Sequence, residues 1–179
     1  MRFAALLAVS VCALSAAGEE ETPPCATPEQ LAQLSGTIVY EGDPVEGPDP
    51  VRNFEIWAIG APRWKTVRIA GGRGFDGHPN WSPEGDRIVY SAHGGGNADL
   101  YLINPATGNR ERLTDADGRD DYPRWLRDGI TYRNGNTRYL MDPVTRERKP
   151  YEKLAGIENF AVAPDGTRMV VSKTGTLHP

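Results

Sequence analysis

From Ile38 to the end of the chain, apolar and polar residues alternate in short runs with a period of two rather than 3.6. The clearest run spans residues 78–104. It predicts a short strand ending at Trp81, a Ser82-Pro83-Glu84-Gly85 turn and a second strand over residues 87–91. A Gly-rich reversal at 93–97 then leads into a third strand over 99–104. Ile88, Tyr90, Leu100 and Leu102 suit a pleated, half-buried surface, and Gly, Pro and Asn clusters punctuate them. Upstream, residues 37–40, 54–59 and 65–69 read as strands, with an acidic, Pro- and Gly-rich loop over 41–53. Residues 27–34 depart from this pattern. Thr27 as N-cap, Pro28 at the first helical position and Gln30 three residues past the cap predict two helical turns.

The pattern recurs. Ile38-Val39-Tyr40, Ile88-Val89-Tyr90, Ile130-Thr131-Tyr132 and Met169-Val170-Val171 are equivalent strands whose starts lie about 50, 42 and 39 residues apart. The next strand repeats as Glu55-Ile56-Trp57-Ala58-Ile59, Asp99-Leu100-Tyr101-Leu102-Ile103 and Thr137-Arg138-Tyr139-Leu140-Met141. Two of these run into matching turns, Asn104-Pro105-Ala106-Thr107-Gly108 and Asp142-Pro143-Val144-Thr145-Arg146. A charged fourth strand closes each unit: Lys65-Thr66-Val67-Arg68, Arg110-Glu111-Arg112-Leu113 and Glu147-Arg148-Lys149. Four strands in about 40–45 residues make a β-propeller blade. The predicted fold is therefore all-β, with about three and a half four-stranded antiparallel blades. Trp81 and Trp125 share one repeated strand position and are expected to pack between blades, as are Trp57 and Tyr101.

Pro79-x-Trp81-Ser82-Pro83-Glu84-Gly85-x-x-Ile88-Val89-Tyr90, followed by Asp99-Leu100-Tyr101 and Arg112-Leu113-Thr114, resembles the WD-repeat-like blade of TolB-like β-propellers. Pro123-Arg124-Trp125 with Asp128-Gly129 is a second copy whose turn is two residues tighter. Val162-Ala163-Pro164-Asp165-Gly166-Thr167-Arg168-Met169 is a third, with Val in the Trp place. Residues 38–68 match only in their later strands. The resemblance covers residues 36–179 and divides them into blades at 36–77, 78–121, 122–158 and, in part, 159–179. The first blade lacks an innermost strand and the last stops after two, so the propeller is expected to be incomplete. A fragment or truncated version is favoured over pairing with another chain or completion of the last blade by the N-terminal strand. The resemblance implies a non-catalytic binding module in the bacterial periplasm, with a protein or peptide of the cell envelope as partner. The alternative is a propeller fragment accessory to an enzyme, as in prolyl-oligopeptidase-like peptidases or some polysaccharide lyases.

Composition narrows this further. A chain of 179 residues suits one domain. Its net charge of −4 argues against a nucleic-acid partner, which calls for clustered positive charge. Arg2, an apolar run over residues 3–14 and Ser15-Ala16-Ala17 form the pattern of a secretory signal peptide at 1–17, with a Pro-rich, helical lead-in at 18–35. The run is too short to span a bilayer. The mature protein is thus expected to be periplasmic or secreted, without stable membrane insertion. Cys12 falls inside the signal and leaves Cys25 alone, so no intrachain disulfide is expected.

Candidate chemistry follows from the alternation of strands, which puts connections on two faces. Ser82–Gly85, 105–109, 143–146 and 164–166 are short structural turns on one face. The opposite face carries irregular loops with Glu41, Asp43, Glu46 and Asp49, and the candidate binding residues Asp76, Asp115, Asp117, Asp120, Asp121 and His93. Loops on a rigid scaffold commonly carry function, and an acidic face suits a cationic partner; solubility alone accounts for it equally well. Asp115-x-Asp117-Gly118-x-Asp120-Asp121 has the carboxylates and glycine that Ca²⁺ needs, without the full twelve-residue loop. Asp120 and Asp76 occupy one repeat position, so hydrogen bonds from their carboxylates to backbone N–H groups, fixing the blade-to-blade link, are the favoured reading. His93-Gly94-Gly95-Gly96 matches an oxyanion-hole tetrapeptide, yet no Gly-x-Ser-x-Gly elbow accompanies it. His78, His93 and His178 lack zinc-ligand spacing. No catalytic residue, metal site or cofactor is assigned.

Overall fold

The structure, a computed structural model, describes residues 36–42, 54–61, 65–71, 74–93, 96–154, 157, 159–162 and 168–172. The expected signal peptide at 1–17, the expected lead-in at 18–35, both cysteines, Asp43, Glu46, Asp49, His178 and the expected turn at 164–166 lie outside them. The strands are antiparallel and form four sheets in chain order. The first sheet is β1 (Gly36–Gly42), β2 (Glu55–Ala61) and β3 (Lys65–Ala70). The second is β4 (Phe75–Trp81), β5 (Ile88–His93), β6 (Asp99–Ile103) and β7 (Arg110–Arg112). The third is β8 (Asp120–Leu126), β9 (Gly129–Asn134), β10 (Thr137–Met141) and β11 (Arg148–Pro150). A 3₁₀ turn, Glu152–Leu154, leads to the fourth, β12 (Asn159–Val162) and β13 (Met169–Ser172). Each four-stranded sheet is a meander, which is the blade of a β-propeller.

The repeat in the sequence is also a repeat in space. Ile38 opposes Ile59, Ile88 opposes Ile103 and Ile130 opposes Met141. Trp81 opposes Ile88, Trp125 opposes Ile130 and Val162 opposes Met169, so Val162 does stand in the Trp place. The tighter turn of the third blade is closed by Gly129 at φ +142°, where an added Cβ would lie 2.6 Å from the Met141 carbonyl oxygen.

The core lies between successive blades. Ile88, Tyr90 and Ala92, alternating along β5, meet Ile56 of β2 together with Ile103. Val89, on the other face of β5, joins Leu100 and Leu102 against Ile130, Tyr132 and Met141 of the third blade. A central strand buried on both faces must be apolar at consecutive positions, which is why Ile88-Val89-Tyr90 is continuous. Each such side chain contributes about 1.5–3 kcal/mol of transfer free energy. Leu126, Leu154 and Phe160 continue the packing from the third blade to the fourth. Trp81 and Trp125 pack against the first and second of these interfaces, each half-buried. The outer strands β7 and β11 are exposed along their length, and their Arg and Lys keep the sheet edges from pairing with other edges. Among the described residues no helix is long and apolar enough to cross a membrane.

Candidate functional site

The innermost strands of the second and third blades, β4 and β8, share a local defect. Their pairing slips between Gly77 and Asn80 in one, and between Asp121 and Arg124 in the other. His78 and Tyr122, equivalent residues, both stand at φ +54°. Each precedes a proline, Pro79 or Pro123, which lacks the N–H a ladder needs and so favours a bulge. In β12 the same position is followed by Phe160 and the pairing with β13 is unbroken. The bulge hides the strand from its sequence pattern: β4 begins at Phe75, three residues before the start that alternation predicts.

A left-handed conformation costs a non-glycine residue about 1–2 kcal/mol and persists where its surroundings over-determine it. Here carboxylates supply that determination. The His78 N–H donates to Glu41 Oε2 of β1 at 2.6 Å, and the Tyr122 N–H donates to Asp121 Oδ1 at 2.9 Å. Gly77 and Asp121 are equivalent positions. Gly77 leaves room for the incoming Glu41, since a Cβ there would lie 2.6 Å from Glu41 Oε2, whereas the third blade provides its own carboxylate.

The bulges bring rings together at the loop face. His78 and Tyr122 lie 4.0 Å apart between centroids. Phe75 lies 5.5 Å from His78, 5.6 Å from His93 and 5.5 Å from Phe54. Five rings therefore run across three blades, from Phe54 ahead of β2 to Tyr122 in β8. Tyr122 is 38% exposed, and the Arg133 guanidinium stands 5.9 Å over its ring. Beneath the rings, His78 Nδ1 donates to Asp121 Oδ1 at 2.6 Å, and Arg119 Nε donates to Asp121 Oδ2 at 2.7 Å. A carboxylate only accepts, so the proton sits on Nδ1 and the imidazole is fixed in orientation. Burial raises the Asp121 carboxyl, but the hydrogen bonds from His78 and Arg119 outweigh it and hold the group well below the ordinary carboxylate range.

The other sequence-predicted site residues are dispersed by the fold. Asp115 and Asp117 are exposed. His93 is half-buried against Phe75. Asp76 and Asp120 are buried, and burial raises both carboxyls. Asp76 has Arg110 3.6 Å away, and Asp120 Oδ1 accepts from Asn134 Nδ2 at 2.7 Å. The blade-to-blade link does pass through these two residues, with a correction to the group involved. Their main-chain N–H groups reach the preceding blade, Asp76 to the Phe54 carbonyl and Asp120 to the Ala98 carbonyl, at 2.9 and 2.8 Å. Within the strand the backbone donor faces the neighbour while the side chain turns inward. Among the described residues no group of three or more His, Cys, Asp or Glu side chains is placed to hold a metal ion.

A second repeated contact has no motif in the sequence. Glu55 pairs with Arg68 at 2.7 Å and Asp99 with Arg112 at 2.6 Å, equivalent bridges from third to fourth strand. The signal that would have found the ring cluster is the X-Pro pair, His78-Pro79 and Tyr122-Pro123, at one repeat position.

No protein-family model matches the chain. A protein named "Tol-Pal system protein TolB" from Coxiella burnetii is 48% identical over 40 residues, 22% of this chain and 9% of that protein. One of the same name from Francisella tularensis subsp. holarctica is 39% identical over 79 residues, 40% of this chain and 18% of that protein. The chain thus spans less than a fifth of the length of these curated relatives. Among solved structures, TolB from Acinetobacter baumannii superposes with a TM-score of 0.60 at 20% identity, over 84% of this chain and 37% of that one. Puromycin hydrolase gives 0.56 at 19% identity, over 75% and 23%. At these identities the structural likeness shows the fold.

Proposed function

We propose that this chain, whose repeats are TolB-like β-propeller repeats, is an exported, non-catalytic module that binds a protein or peptide of the cell envelope. The observation that carries the reading is the ring cluster: two residues in a costly backbone conformation hold aromatic side chains at the loop face beside the exposed Glu41, and the link from β7 to β8 exposes Asp115 and Asp117. Aromatic surface edged by carboxylates suits a segment bearing Lys or Arg, whose cations stack on rings and pair with acids. Arg133 over Tyr122 is an internal example of that contact. The shared name of the relatives, which makes each a protein of the Tol-Pal system, supports a protein partner.

The test is capture from a bacterial envelope extract by the immobilised chain, with partners identified by mass spectrometry. The unaltered chain is expected to retain a defined protein, and Asp115→Lys with Asp117→Lys to lose at least about tenfold of it. Equal capture by both would remove the loop face from consideration. The alternative, a propeller accessory to a peptidase or polysaccharide-active enzyme, draws on the fold likeness to puromycin hydrolase. It would be favoured by retention of a hydrolase or lyase in the same experiment.

A further inference from the structure

We infer that the cleft between the second and third blades binds a small multivalent oxyanion, a ligand carrying carboxylate or phosphate groups. The cleft holds about 450 Å³ and is lined by Arg112 of β7, the link that follows it, and residues of β9, β10, β11 and the turn before β11 in the third blade. Three guanidiniums, Arg112, Arg146 and Arg148, and one carboxylate, Asp115, line it; Arg112 is paired with Asp99 and Arg146 with Glu111, so Arg148 is the lining cation without an ion pair among the described residues. That volume is in the range of small-ligand sites, and guanidinium forks match the geometry of planar and tetrahedral oxyanions.

Comparison of the two complete blades separates these arginines from ordinary repeat residues. Arg110 of the second blade stacks 4.0 Å over Tyr101 and has the Asp76 carboxylate 3.6 Å away. Arg148, its equivalent, keeps the stack, 5.0 Å over Tyr139, and donates to the Tyr132 hydroxyl at 3.1 Å. The Asp120 carboxylate that would answer to Asp76 is instead hydrogen-bonded to Asn134. Arg148 is thus held by the Tyr139 ring and the Tyr132 hydroxyl, with the Asp120 carboxylate near enough to attract it but no ion pair formed with it among the described residues.

Arg146 carries the second, independent argument. The turns before β7 and β11 are the same: Asn104 and Asp142 each accept two backbone N–H groups at the side-chain oxygen. At the position needing positive φ the first turn has Gly108 at +75° and the second has Arg146 at +63°. Glycine is the unstrained choice there. An arginine keeps the strain and gains only an ion pair with Glu111 in which both partners are about half exposed, a contact of little worth to the fold. Its side chain over the cleft is the gain that the turn itself does not explain.

The test is isothermal titration of the full chain with inorganic pyrophosphate and, separately, citrate, at low and high salt. At least one is expected to bind saturably with a dissociation constant under about 1 mM, more weakly at high salt. Pyrophosphate alone would identify phosphate as the recognised group, and citrate alone carboxylate. Arg148→Gln and Arg146→Gly should each weaken binding about tenfold, the loss expected for one charge-assisted hydrogen bond. Arg146→Gly should leave the melting temperature unchanged or higher, because it restores the residue the turn prefers, so lost binding cannot be laid to unfolding. Arg68→Gln, on the first blade, should leave binding unchanged. No saturable binding of either anion would overturn the inference, as would equal weakening by Arg68→Gln.

Discussion

At the scale of single residues, the molecule turns on how a carboxylate is satisfied. Asp121 accepts from His78, Arg119 and the Tyr122 N–H, so its charged form is favoured in the folded state. Its folded value lies below the ordinary value of about 3.9, and its contribution is therefore present above that pH and lost as the pH falls towards the folded value. Asp76 and Asp120 have the opposite sign. Burial raises them, so they favour the fold in acid and that support fades as the pH rises through their folded values. Asp121→Asn is expected to cost about 1.5–3 kcal/mol at pH 7, the range for hydrogen bonds to a charged group. The difference from the unaltered chain should shrink below about pH 4. Urea melts at a series of pH values measure it, and a difference that stays constant down to pH 3 would contradict the assignment. The repeat sets Asp120 apart, as the counterpart of Asp76, but does not show what either carboxylate meets. One is turned to the neighbouring blade and the other to Asn134 because adjacent strand residues point to opposite faces.

At the scale of the element, the bulges in β4 and β8 decide what the loop face presents. The sequence shows where they sit, since proline follows at both, but alternation fails there and the strands read as too short. Tyr122→Gly and Tyr122→Ala separate the two effects of the bulge. Both lose the ring contact with His78, worth about 0.5–1.5 kcal/mol. Glycine alone relieves the left-handed strain, so it should be the more stable of the two by about 1–2 kcal/mol in denaturant melts. An alanine variant as stable as the glycine variant would mean the backbone there is not left-handed. The regular elements were legible by contrast. β5 and β9 show in the sequence as the β-forming runs Ile88-Val89-Tyr90 and Ile130-Thr131-Tyr132, and β7 and β11 show as charge, because a twice-buried strand and an edge strand impose opposite compositions.

At the scale of the whole molecule, stability is held between blades rather than within them. A sheet of this size cannot bury its faces alone, and its neighbours do so. Trp125 stands at the interface of the second and third blades, opposite Ile130 and packed on the cluster that includes Val89 and Tyr132. The Trp125 N–H donates to Asn80 Oδ1 of the second blade at 2.7 Å, which ties the two inner strands together. Trp125→Ala should cost about 3 kcal/mol, the low end for a large aromatic because the ring is half-buried. A loss under about 1 kcal/mol would place the ring outside the interface.

The chain's own order of residues determined the blade: period-two alternation, copied at blade spacing, specifies strands, turns and their pairing, since these depend on neighbours close in sequence. Only the tertiary structure decided which carboxylates are buried, that Glu41 would reach His78 across a blade boundary, and that Phe54, Phe75, His78, His93 and Tyr122 would meet. Those contacts join residues dozens of positions apart. Their geometry is set by how one sheet is rotated and seated on the next, a relation that no local pattern of polar and apolar residues encodes.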